Sequence, residues 1–104
     1  MHIVARSVLL EFYSQPEYRD AKGALEAWYD VARLAKWTAP SDVKAQYANA
    51  SIVGKNRVVF NIKGNDYRLV VAIAYKMQWV YVKFIGTHAQ YDAVDVETVD
   101  QFRS

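Results

Sequence analysis

The chain contains no cysteine. Disulfides, thiolate nucleophiles and most structural zinc sites are thereby excluded, and the composition fits a reducing compartment such as the cytoplasm. Histidine occurs only at positions 2 and 88. The carboxylates near His2 and His88 lack a ligand spacing such as HExxH, so neither a metal site nor a cofactor is expected. Glycine is scarce, at four residues, with no phosphate-cradling loop among them and no GxSxG. Serine-hydrolase, kinase and dinucleotide chemistry drop out on those grounds. No window approaches about 18 consecutive apolar residues, so no membrane span is expected. The opening MHIVARSVLL has Arg6 inside it and no long apolar run before a cleavage site, which does not read as a signal peptide. A soluble cytoplasmic protein is the expectation.

What is present is material for a core. A 53% hydrophobic and 14% aromatic content argues against disorder, and 104 residues suit one compact domain, 1–104. The net charge of +2 conceals a division. Lys55, Arg57, Lys63, Arg68, Lys76 and Lys83 stand against the single acid Asp66, whereas Asp92, Asp95, Glu97 and Asp100 stand against Arg103. Scattered surface charge is one reading. The other is a basic sheet face suited to a polyanion such as nucleic acid.

Residues 2–5 read as a short edge strand, and Ser7 as the N-cap of a helix carrying Val8, Leu9, Phe12 and Tyr13 that Pro16 stops. Ala21, Ala24, Leu25, Trp28, Val31 or Ala32, and Ala35 recur at helical spacing, which predicts a helix from about residue 17 to 36. Ser41 reads as the N-cap of a third, short helix through Tyr47. The period then changes. RVVFNIK alternates, Gly64-Asn65-Asp66 supplies a turn, YRLVVAIAY is apolar on both faces, and WVYVKFIG follows a second turn at 76–78. The expected fold is α+β, an antiparallel β-meander with N-terminal helices packed on one face.

The polar residues of the meander are the candidates for chemistry. Asn61 and Lys63, two apart, are expected to share a face, as are Lys83, Tyr81 and Ile85; Arg68 is embedded in an otherwise apolar strand. His88 and Tyr91 lie just past the third strand, where Gly86 is expected to end it and turn them into a basic concave face. His88 admits two readings: a loop histidine capping backbone or packing on Tyr91, or an acid–base group, since imidazole exchanges a proton near neutrality. RNA supplies its own nucleophile, the 2′-hydroxyl. A protein acting on it needs cations for the phosphate, proton-transfer groups and an aromatic to stack a base. Arg, Lys, His and Tyr are all here.

The stretch RVVFNIKGNDYRLVVAIAY, followed by VYVKFIGTHAQYDAVD, resembles the HigB family of toxins from type II toxin–antitoxin modules. The likeness extends upstream through LEAWYDVARLAKW and APSDVKAQY. It implies a RelE/ParE-like fold and a ribosome-dependent, metal-independent endoribonuclease that cuts translated mRNA. It also implies a cognate HigA antitoxin, a helix-turn-helix protein through which alone the toxin reaches operator DNA. Carried onto this chain, the motifs single out Arg68 and Lys63 as phosphate and transition-state ligands, His88 for proton transfer, and Tyr91 as a second acid or a stacking group. Lys55, Arg57, Asn61, Asn65 and Lys83 are the expected RNA-binding residues. A non-catalytic ParE-like inhibitor and a plain nucleic-acid-binding domain of the same fold are the alternatives.

Overall fold

Alternation in RVVFNIK places Val58, Phe60 and Ile62 on one side of a strand and Val59 and Asn61 on the other, and the computed structural model, which describes residues 1–102, builds on that division. Strands β3 (Arg57–Ile62), β4 (Tyr67–Ala74) and β5 (Trp79–Thr87) form the expected antiparallel meander. Gly64, at φ 63°, serves the β3–β4 turn in the left-handed region that glycine enters without penalty. The meander is the centre of a five-stranded mixed sheet. The edge strand β1 (His2–Val4) runs parallel to β5, and β2 (Ser51–Val53) pairs antiparallel with β3, giving the order β1-β5-β4-β3-β2. β2 goes beyond the expectation, because three residues are too few for a period to register.

Helix α1 (Arg6–Ser14) starts with Ala5 as its N-cap, so Ser7 lies inside the first turn instead of capping it. The helix expected over 17–36 is divided into a 3₁₀ segment, Pro16–Ala21, and α2 (Lys22–Leu34). Helix α3 (Pro40–Gln46) opens with proline at N1, a position whose missing N–H costs nothing. The Asp42 carboxylate accepts from both the Thr38 amide and hydroxyl at 2.7 Å. No helix among the described residues is long and apolar enough to cross a membrane.

The helices bury their apolar stripe against one sheet face. Leu25, Trp28 and Ala32 are buried, whereas Val31 is 38% exposed, which decides between the two candidates at that turn. Trp28 meets Phe60 at 5.5 Å between ring centroids, and Trp37 and Tyr47 close on the same phenyl ring at 6.2 and 5.1 Å. Packing alone holds Trp28, since its indole N–H has no hydrogen-bond partner among the described residues. Trp28→Ala is therefore expected to cost about 3–5 kcal/mol in a denaturant titration, with Trp28→Phe costing less. An unchanged midpoint for Trp28→Ala would contradict this packing.

The opposite face is partly covered by the C-terminal segment. Tyr91, Val94, Val96 and Val99 pack on Val59, Val70 and Phe84. A β-bulge sets that face. Val70 pairs with Phe84 but Val71 with Val82, which leaves Lys83 as the extra residue. Because of it Ile85 joins the helix-side core and Phe84 the other, so Lys83 and Ile85 do not share a face as alternation predicts.

Candidate active site

The β3–β4 turn and the end of β5 meet at one end of the sheet, and most of the chemically useful side chains collect there. Asn61 pairs across the sheet with Arg68, and Arg68 with Gly86, so the three lie in a row on the face away from the helices. The chain then turns at Thr87. Its hydroxyl accepts from the Gln90 amide at 3.2 Å, while the Gln90 side chain accepts from the Thr87 amide at 2.9 Å. This capping box starts a five-residue helix, α4 (His88–Asp92), where alternation predicts a loop. Gly86 does not end the strand, which runs on to Thr87. Its contribution is space: a Cβ there would meet Gln90 Oε1 at 2.6 Å and the Phe84 ring at 2.7 Å.

Helix α4 fixes His88 and Tyr91. The His88 amide donates to the carbonyl of Asp66 at 3.2 Å, which ties α4 to the β3–β4 turn. One turn on, the Asp92 carboxylate lies 3.1 Å from His88 Nδ1. Nε2 is the ring nitrogen without that neighbour, on an imidazole that is half exposed. Tyr91 inclines against Phe84 at 6.4 Å, and the Arg68 guanidinium lies 5.9 Å above its ring.

Arg68 is held by neutral acceptors: the Asn65 carbonyl at 3.2 Å, the Tyr67 carbonyl at 3.3 Å and Asn65 Oδ1 at 3.2 Å. Among the described residues no carboxylate forms an ion pair with it. Its charge is thus fixed in direction and unneutralised, the state of a cation prepared for an incoming anion.

Lys63 differs. It lies just beyond β3 at φ 53°, and its ammonium reaches Asp20 at 2.7 Å and Asp66 at 3.6 Å, so it does not share the face of Asn61. Asp20 also accepts from the buried Tyr67 hydroxyl. These hydrogen bonds, Lys63 first, hold the Asp20 carboxyl below its ordinary range, and Asp20 raises Lys63 in return. Burial, then the Asp20 contact, pushes the Tyr67 hydroxyl up to about 12. Two carboxylates thus screen Lys63, whereas Arg68 has no carboxylate partner among the described residues.

Three other expected RNA-facing cations stand apart from the cluster. Arg57 is buried and donates to the carbonyls of Val96, at 3.1 Å, and Val99, so it fastens the C-terminal segment to the sheet. Lys83, on the bulge, pairs with Asp100 at 3.3 Å. Lys55, at φ 61°, sits in the β2–β3 turn at the opposite end of the sheet. The single basic face read from the charge count is therefore divided, and Arg103 lies outside the described residues. Asn61, Asn65, Arg68, His88 and Tyr91 remain together, with Lys63 at their margin.

Asp92, Asp20 and Gln90 join the site without having been singled out by the sequence. For Asp92 the signal was available: Thr87 and Gln90 have capping-box spacing, and a helix from there puts His88 and Asp92 one turn apart.

Residues 21–94 match the family HigB_toxin, described as the RelE-like toxic component of a toxin–antitoxin system. The chain belongs to that family. Asn61, Lys63, Asn65, Arg68, His88, Tyr91 and Asp92 fall inside the matched span, with Asp20 one residue before it, and the α+β architecture is that expected of a RelE-like toxin. Over 95 residues the chain is 26% identical to the mRNA interferase toxin HigB of Escherichia coli (strain K12), with 88% of each chain covered. It is equally similar to proteins named mRNA interferase HigB in E. coli O157:H7 and Shigella flexneri. As a toxin of such a system, this HigB-family protein has an antitoxin for a partner.

Proposed function

We propose that this chain is an mRNA interferase, an endoribonuclease that acts on translated message at the ribosome and is neutralised by a HigA antitoxin. The observation that carries the reading is Arg68: a guanidinium aimed by Asn65, backed by the Tyr91 ring and free of any carboxylate partner among the described residues. A cation so arranged, beside an imidazole with the Asp92 carboxylate 3.1 Å from one nitrogen, matches a phosphodiester and its proton transfers. The relatives' names point the same way.

In the proposed reaction the substrate's 2′-oxygen attacks the adjacent phosphorus. A base takes the 2′-hydroxyl proton, the bond from phosphorus to the 5′-oxygen breaks, and that oxygen leaves with a proton. His88 performs one of these transfers through Nε2. Arg68 binds the non-bridging oxygens as charge accumulates on them, Asn61 and Asn65 contact the strand, and Lys63 contributes only when it exchanges a carboxylate for phosphate. The products are a cyclic 2′,3′-phosphate and a 5′-hydroxyl end.

The test is incubation of purified toxin with a translated message in a ribosome-containing extract, followed by end analysis. Fragments with 5′-hydroxyl ends that disappear on adding antitoxin are expected. An intact message under conditions where translation nonetheless stops would overturn the reading in favour of a non-catalytic inhibitor.

A further inference from the structure

A second group of aromatic side chains lies on the same sheet face, at the far end from Arg68. Trp79 and His2 are neighbours in the parallel β1–β5 pairing, with ring centroids 4.8 Å apart. Tyr81, two residues along β5, is 5.9 Å from Trp79, and the Lys83 ammonium lies 5.6 Å from the Tyr81 ring. On the adjacent strand their cross-strand partners are Ala74 and Ala72. These small, half-exposed residues leave the rings standing above the sheet. Trp79 is 36% exposed, against 2% for Trp28 and Trp37, so the two helix-side tryptophans are core and this one is not.

We infer that Trp79 and Tyr81 form a stacking platform for two bases of single-stranded RNA. A flat sheet surface bearing spaced aromatics is a recurrent way of holding splayed bases, because every base has a π-face and needs no pocket. Ring separation along one strand fits successive unstacked bases. Lys76, exposed in the preceding turn and paired with no carboxylate among the described residues, supplies a cation for the backbone, whereas Lys83 stays with Asp100. An exposed lysine beside the rings favours a polyanion that carries bases over an uncharged protein surface. Trp79 lies seven residues along β5 from Gly86, or about 23 Å at strand rise, so the platform is separate from the cluster around Arg68. This inference rests on the RNA-directed reading above, and it concerns binding, not cleavage.

The platform can be tested with a 2′-O-methylated uridine heptamer, which lacks the nucleophilic hydroxyl and cannot be cut. Among the described residues Trp79 is the only exposed tryptophan, so its fluorescence reports on the platform directly. The heptamer should quench wild-type emission saturably. Trp79→Phe should retain affinity by another readout, such as anisotropy of a labelled heptamer, while losing the exposed-tryptophan quench. Trp79→Leu, which keeps apolar cover over β1 but has no π-face, should weaken binding on the order of tenfold, as loss of one stacked base does. Heptamer binding without quenching, equal affinity for Trp79→Leu, or quenching by the antitoxin but not by the heptamer would each overturn the platform. None of these outcomes depends on cleavage, so a failure here is distinct from a failure of the proposed activity.

Discussion

Arg68→Ala is expected to lower message cleavage by about 10²–10³-fold while the protein remains folded and still associates with ribosomes. The size follows from where the charge sits. Asn65 and the Tyr67 carbonyl fix the guanidinium at 3.2–3.3 Å without neutralising it, and the Tyr91 ring supports it from below. Such a cation requires no reorganisation when extra negative charge develops on a phosphate, so its removal is felt in the transition state more than in binding. Arg68→Lys separates charge from geometry. An ammonium restores the Coulombic part but not the forked hydrogen bonding, and its activity should fall between the two. Asn65→Ala, which removes one acceptor and leaves the charge free to wander, should lose less than Arg68→Ala. If single-turnover cleavage by Arg68→Ala matches wild type, Arg68 does not act on the reacting phosphate.

Lys63 should respond differently, and the contrast is informative. It already spends its charge on Asp20 and Asp66, and Asp20 in turn holds the Tyr67 hydroxyl. Its first task in the folded protein is to join the 3₁₀ segment to the β3–β4 turn that carries Asn65.

Much of this architecture was legible in residue patterns alone. The meander follows from alternation in RVVFNIK and from the turn residues Gly64, Asn65 and Asp66. The helical stripe through Leu25, Trp28 and Ala32 follows from spacing. Three features were not legible, each for a physical reason. The bulge at Lys83 is a matter of register, which pairing decides and composition does not. The Lys63–Asp20 contact joins residues 43 apart in the chain, and nothing local announces it. The charge count between Lys55 and Lys83 treated one sheet as one face, whereas Arg57 is committed to carbonyls of the C-terminal segment and Lys83 to Asp100. Helix α4 is an intermediate case. Five residues cannot show a helical period, yet its capping box is written in Thr87 and Gln90.

That short helix carries the other large expected effect. His88→Ala should lower cleavage by about 10²–10⁴-fold, the usual range for removing a positioned proton-transfer group, with ribosome association unchanged. Loss of fold is not the cause, because His88 and Asp92 are 52% and 61% exposed, and an exposed pair of this kind contributes little stability. Asp92→Asn then distinguishes an oriented imidazole from a free one. A carboxylate 3.1 Å from Nδ1 favours the neutral tautomer protonated on that nitrogen, which presents Nε2 as acceptor. The asparagine can instead donate to Nδ1 and favour the reverse tautomer, which has no acceptor at Nε2. Cleavage should fall in Asp92→Asn, less than in His88→Ala, and imidazole ¹⁵N shifts should record the change of tautomer. Combining the two substitutions should add little to His88→Ala alone, since Asp92 acts through that ring. Full activity in His88→Ala would remove proton transfer from His88 and leave it the backbone contact its amide makes to the Asp66 carbonyl; full activity in Asp92→Asn alone would leave His88 its role and deny the carboxylate any part in orienting it.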